Sequence, residues 1–175
     1  EYVTTNDLEG KSFYDNSLLP SSNSVQNFWN TSYSLIYAAN RILEGVENSP
    51  SLTAMDKDRF IGEALFVRAY IHFNLTNLFG AIPYITTTDY RTNMEVSKMM
   101  TATIYENIVE DLVRSKELIG ISETDMLHFR PDRWVVSAFL SRVYLYQGDW
   151  QSALDEAEKV VLDSGLDLEP AVDDV

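Results

Sequence analysis

No cysteine occurs among the 175 residues. Disulfides, thiolate nucleophiles and thiolate metal sites are therefore excluded, and the redox compartment leaves no mark. Histidine is nearly missing as well, with only two in the chain. His72 falls mid-helix among aromatics, where a packed ring is the expected role. His128 stands beside Phe129 and Arg130, with no His, Cys or Asp at ligand spacing. No HExxH, P-loop or GxSxG pattern is present. No catalytic residue, metal or cofactor is expected, and the chain does not read as an enzyme. Cations are scarce too: 13 Lys and Arg face 27 Asp and Glu, for a formal net charge of −14. Such a surface repels phosphate backbones and anionic lipid, so nucleic acid is not an expected partner. No apolar run reaches the roughly 18 residues that a membrane-crossing helix needs. The chain opens on Glu1 and a polar stretch, as expected of a mature or trimmed chain.

What is present is helical. Residues 1–24 show no helical period, and "EGKSFYDNSLLPSSNS" reads as a loop by composition. A first helix is expected over 25–48, with Phe28, Ser32, Leu35, Ala39, Ile42 and Val46 as a stripe widened by Trp29, Ile36 and Leu43. Thr53 and Asp56 sit as a capping box before a second helix. This helix, "GEALFVRAYIHFNLTNLFG", is apolar on nearly every side, so neighbours must pack against it on several faces. Gly80 suits a left-handed stop, and Pro83 prevents resumption. Thr103 and Glu106 read as a capping box for a third helix, with Ile104, Ile108, Leu112, Ser115 and Ile119 as its stripe. Glu106, Glu110 and Asp111 read as its solvated side. Pro131 and Asp132 open a fourth helix, and Gly148-Asp149 turns the chain into a fifth that runs to about Ser164. The fold class is all-α.

Two segments echo each other. "ALFVRAY" at 64–70 and "AFLSRVY" at 138–144 share Ala, Arg and Tyr at equal offsets. The second copy runs into "YLYQGDWQSALDEAEKVV", where Tyr144, Gly148, Trp150, Ala153, Ala157 and Val160 resemble the tetratricopeptide helix–turn–helix pattern. Small residues in such a pattern let paired helices approach, and aromatics fill the space they leave. The echo makes the second and third helices the preceding repeat. Their short turn is replaced by an insertion, residues 81–100, whose start is β-branched and Thr-rich. Insertions of that length in a helical array are usually functional or disordered.

Glu63 and Arg68 lie within the buried second helix, so each needs a partner on a neighbouring helix. Aromatics on helix stripes are assigned to the core. Phe13, Tyr14, Tyr84 and Tyr90 lie in expected loops, and Phe28 and Trp29 at the start of the first helix. Rings so placed can stack on the apolar face of a flat ligand.

Read together, the helices resemble the SusD-like (RagB/SusD) family of outer-membrane nutrient-binding lipoproteins of Bacteroidetes. The resemblance rests on Trp29, Tyr33, Ile36 and Ala39-Asn40. It also rests on Gly62-Glu63-Ala64, Phe66, Arg68-Ala69, Phe73-Asn74-Leu75, Phe79-Gly80 and Pro83, and on "IVEDLVRSKELI" and the repeat that follows. It implies a binding protein without catalytic residues, whose tetratricopeptide-like scaffold faces a TonB-dependent transporter of the SusC type and which captures glycans for import. The implied location is the outer membrane at the cell surface, held by a lipid anchor absent from this chain. The family's chains are much longer, so residues 1–24 become an N-terminal segment and 25–175 the helical region of a larger fold whose C-terminal half is missing. Tyr14, Trp29, Asn30, Tyr84 and Tyr90 are the candidate ligand contacts. A tetratricopeptide adaptor that binds a peptide and no sugar is the alternative.

Overall fold

The computed structural model describes residues 8–120 and 130–165. The sequence reading at His128 lies outside them. Seven helices are found there: α1 (Leu8–Tyr14), α2 (Asn23–Glu47), α3 (Ala54–Phe79), α4 (Tyr90–Glu95), α5 (Thr101–Leu118), α6 (Arg133–Gln147) and α7 (Trp150–Asp163). Among the described residues no strand forms, and the one β-type pairing is an antiparallel bridge between Ile82 and Met99. No described helix is long and apolar enough to cross a membrane.

The order of packing follows the chain: α2 on α3, α3 on α5, α5 on α6, α6 on α7. The interior place expected for α3 is observed. Ile61, Leu65, Ala69, His72 and Leu75 are buried between α2 and α5. Each large apolar side chain so enclosed contributes about 1.5–3 kcal/mol. Thr53 caps α3 as expected, its Oγ1 accepting the Asp56 amide at 3.1 Å. Gly62 sets the spacing to α5. A Cβ there would lie 2.5 Å from Ile119 Cγ1 and 3.1 Å from the Ser115 carbonyl oxygen. Ser115 Oγ instead donates to the Gly62 carbonyl at 2.7 Å. The α6–α7 pair turns at Gly148, whose φ is 79°, and Ser141 Oγ donates to the Ala153 carbonyl across the pair at 2.7 Å.

Several expectations are corrected. Residues 8–14 form a helical turn rather than loop, ended by Asn16 at φ 51°, a left-handed conformation that Asn tolerates. The insertion contains the short α4, capped by Asp89. The Thr103–Glu106 capping box is not formed. The Met99 amide is held by the Ile82 carbonyl at 2.9 Å, and the chain passes from that bridge directly into α5 with Met100 as an uncapped N-cap. Pro131 precedes the helix; Asp132 is the N-cap, taking the amides of Trp134 and Val135 at 2.9 Å each. On α2 the buried line is Ser32, Ile36, Ala39 and Asn40, while Phe28, Leu35 and Ile42 are exposed. The expected stripe was wider than the single face that α3 covers. Val67, Tyr70 and Leu78 of α3 are likewise exposed.

The insertion does not depart from the stack at its outset. Ile82 is fully buried and Tyr84 is 4% exposed. Residues 82–88 form a strap laid over α2, α3 and α5. Tyr33 of α2 donates to the Pro83 carbonyl at 2.8 Å. Asn40 donates to the Ile85 carbonyl at 3.1 Å. The carboxylate of Glu44 accepts the Thr88 amide at 2.8 Å and the hydroxyls of Thr87 and Thr88. Beneath the strap, Arg68 meets Asp111 through Nε at 2.7 Å and Nη2 at 2.6 Å, and reaches Asn40 Oδ1 at 2.9 Å. Tyr84 donates its hydroxyl to Asp111 at 2.6 Å and stacks on His72 with ring centroids 3.9 Å apart. Arg68 thus finds partners on neighbouring helices, as a buried cation requires. Asp111, expected on the solvated side of its helix, is buried as that partner. Glu63 instead pairs with Arg59 on its own helix and with Arg130.

Candidate functional site

The start of α2 and the end of α3 meet at one end of the stack. Ser22 caps α2, accepting the Val25 amide at 3.3 Å, and so aims the first two turns toward Phe79. Gly80, at φ 73°, stops α3 immediately after that ring. Trp29 packs edge-on to Phe79 with centroids 5.0 Å apart, and lies 4.8 Å from the Tyr33 ring. Phe28 approaches the other side of Phe79 at 6.3 Å. Tyr33 is itself fixed by its bond to Pro83, and burial pushes its hydroxyl pKa up. The indole therefore stands on a rigid support that the strap completes.

Beside Trp29 lies an open groove of about 620 Å³. Its lining includes Pro20, Val25, Gln26, Trp29, Asn30 and Phe79. The chemistry is that of rings, a pyrrolidine, two side-chain amides and a serine, Ser21. Among the described residues no carboxylate, ammonium or imidazole lines it. The rings offer flat apolar surface, and the amides offer both donors and acceptors. A neutral ligand with apolar faces and a hydroxylated edge suits that lining; a proton-transfer reaction has no acid or base there. Among the described residues no group of three or more His, Asp or Glu could hold a metal ion.

Of the five candidate contacts, the groove brings together Trp29 and Asn30. Trp29 is half-buried and Asn30 exposed, with the Asn30 carbonyl taking the Ser34 hydroxyl at 2.9 Å. Tyr14 on α1 and Tyr90 on α4 are both strongly exposed, at 81% and 72%, but neither lines this groove. Tyr84 is corrected. It is a core residue whose ring face is covered by His72 and whose hydroxyl is engaged by Asp111, so it presents nothing to an outside ligand. Sequence reasoning passed over Gln26 and Phe79. Phe79 was visible as the last residue before the Gly80 stop, which is where a helix end can face a groove.

Helix pairs stacked in series, with a turn glycine in the last pair and a groove at the opposite end, define a tetratricopeptide-like helical array. Residues 3–145 match a SusD-like family model described as starch-binding, associating with the outer membrane. The chain belongs to the SusD-like family. It is 32% identical over 83% of its length to SusD-like protein P2 of Formosa agariphila, of which it covers 29%. Among solved structures it resembles a SusD superfamily protein from Bacteroides thetaiotaomicron (28% identity, TM-score 0.76, covering 88% of this chain and 36% of that one). It also resembles a laminarin-binding SusD-like protein (29% identity, TM-score 0.69, covering 76% of this chain and 29% of that one). The chain thus spans about a third of the length of these relatives.

Proposed function

We propose that the chain is the helical portion of a cell-surface protein that captures oligosaccharides and passes them to a SusC-type, TonB-dependent transporter. In this reading the protein is held at the outer membrane by a lipid anchor, and it binds without catalysing. The observation that carries the reading is the Trp29 groove. A ring supported from two sides faces an opening with side-chain amides, and among the described residues no ionisable group lines it. A pyranose has the matching character, with C–H faces for the ring and equatorial hydroxyls for the amides. Family membership and the laminarin-binding relative support a glycan over other neutral ligands. Tyr14 and Tyr90 remain proposed as outer contacts for a longer chain of sugars.

Isothermal titration of the full-length protein against a panel that includes laminarin and starch tests this. Trp29→Ala is expected to weaken binding of the preferred glycan about tenfold, the worth of one aromatic contact of about 1–1.5 kcal/mol. Absence of binding to every glycan, or binding unaffected by Trp29→Ala, overturns the reading.

A further inference from the structure

A second concavity lies away from the Trp29 groove, between the outward face of α5 and the end of α6. It is an open channel of about 700 Å³. Val109 and Val113 of α5 and Tyr144 of α6 form its floor, all partly buried. The rim is acidic. Glu106, Glu110 and Glu117 follow one side of α5, and Asp149, the cap of α7, closes the far end.

The cations of α5 are turned away from this rim. Among the described residues Arg114 is the one basic residue that lines the channel, and it turns to Glu47 at 3.7 Å. Lys116, the other cation of α5, is drawn off to Glu156 at 2.7 Å. Glu47, Glu63, Asp111 and Glu156 each have a cationic partner. Among the described residues Glu106, Glu110 and Glu117 enter no ion pair. Glu106 and Glu110 are one turn apart, a like-charge spacing that costs an isolated helix a few tenths of a kcal/mol. An acidic row flanking an apolar floor has the charge and shape complement of a basic amphipathic helix. Such a helix places Lys or Arg one turn apart with aliphatic residues between, and docks its apolar stripe into a groove.

From this complementarity we infer that the α5–α6 channel is a docking surface for a basic amphipathic polypeptide segment of a protein partner. It differs from a sugar site in ligand class, and it does not depend on the glycan reading. Association through it is steered by charge and therefore weakens with salt.

The test uses the full-length protein and a fluorescein-labelled amphipathic helix built only of Lys and Leu, followed by fluorescence anisotropy. Neutralising the rim with E106Q/E110Q/E117Q is expected to weaken binding about tenfold, as three partly screened contacts predict. The matched variant D155N/E158Q/D163N removes the same charge from exposed positions of α7, and is expected to change binding by no more than about twofold. Neither variant removes an ion pair, and circular dichroism checks that each keeps its helix content. Equal weakening by both variants shows attraction to net charge only, and overturns the proposal. So does binding that neither variant alters.

Discussion

The α3–α5 and α6–α7 pairs each bury an acid at the same step of the second helix, but satisfy it differently. Asp111 lies three residues after the buried Ile108, and Glu156 three after the buried Ala153. In the first pair the partner helix supplies Arg68, four residues after Ala64, and the strap adds Tyr84. In the second pair Arg142 occupies the equivalent place after Ala138, but it is exposed. Glu156 is met instead by Lys116 from α5 at 2.7 Å and by Lys159 from its own helix at 2.8 Å. The pair joined by a tight turn uses its acid to clamp itself to the preceding pair. The pair joined by the strap uses its acid to hold the strap. A repeat position can therefore keep its chemistry while changing what it ties together.

Removing each acid gives the largest contrast. Asp111→Ala leaves the Arg68 guanidinium buried with only the neutral side chains of Asn40 and Tyr84 beside it, and is expected to cost about 3–5 kcal/mol in urea unfolding. Glu156→Ala frees two ammonium groups that lie nearer water, Lys116 at 19% and Lys159 at 50% side-chain exposure. Its expected cost is about 1 kcal/mol. Equal losses would mean that the two clamps are energetically alike and that the contrast is geometric only.

The next effect separates the pairs by pH, because only the strapped pair contains a histidine. The Ile85 amide donates to His72 Nε2 at 3.3 Å. That nitrogen must then be an acceptor, so the proton sits on Nδ1, which lies 2.9 Å from the Arg68 carbonyl. A second proton would face the Ile85 N–H. Burial is the main cause that lowers the His72 pKa from 6.5 to about 4. Between those values the unfolded chain binds a proton that the folded one does not. Stability is therefore full above pH 6.5 and falls as the pH drops to about 4, by roughly 3 kcal/mol over the window. Burial raises the Glu156 pKa, but its two lysines more than offset this and hold it below 4.5. Its share is lost only beneath that value, so the upper part of the window belongs to His72. His72→Gln should flatten it; an unchanged slope in denaturation midpoints between pH 6.5 and 5 assigns the proton uptake elsewhere.

Much of this division was legible in the sequence. The all-round apolar character of "ALFVRAYIHFNL" located the central helix, and the Ala–Arg–Tyr echo located the two pairs. Asp111 was misread because one acid beside Glu110 on an amphipathic helix has the pattern of a solvated face. Its burial depends on Arg68, 43 residues earlier, and no local period records that. Tyr84 was misread for a related reason. A ring in an irregular segment shows no stripe, and the hydrogen bonds that seat the strap come from three different helices. Trp29 and Asn30 share one groove, and their place at a helix start next to a loop is a local feature that a sequence displays. Deleting residues 83–98 would strip Tyr84 and Ile85 from the core network that holds this pair together.

The smallest effects concern how closely each pair is drawn together. In the strapped pair the close approach is made at a helical glycine. Gly62→Ala gains helix propensity of about 1 kcal/mol but places its methyl 2.5 Å from Ile119 Cγ1. Ser115 and Ile119 must then shift, which costs about 1–3 kcal/mol before that gain is counted. A net loss of about 1–2 kcal/mol is expected by thermal or urea unfolding, together with weakening of the Ser115–Gly62 hydrogen bond. The matching position of α6 already carries a side chain, the buried Val136, so the second pair reaches its packing without such an opening. There the requirement lies in the turn. Gly148 has φ 79°, and a Cβ would meet nothing nearer than Trp150 at 4.0 Å. Gly148→Ala therefore incurs only the conformational penalty, about 1 kcal/mol. Sterics govern the first substitution and backbone preference the second. A further enlargement separates them: Gly62→Val should be worse than Gly62→Ala because the clash grows, whereas Gly148→Asn should recover most of the loss because Asn tolerates the left-handed region. If Gly148→Asn is as damaging as Gly148→Ala, the turn is limited by contact with Trp150 and not by its dihedral angle.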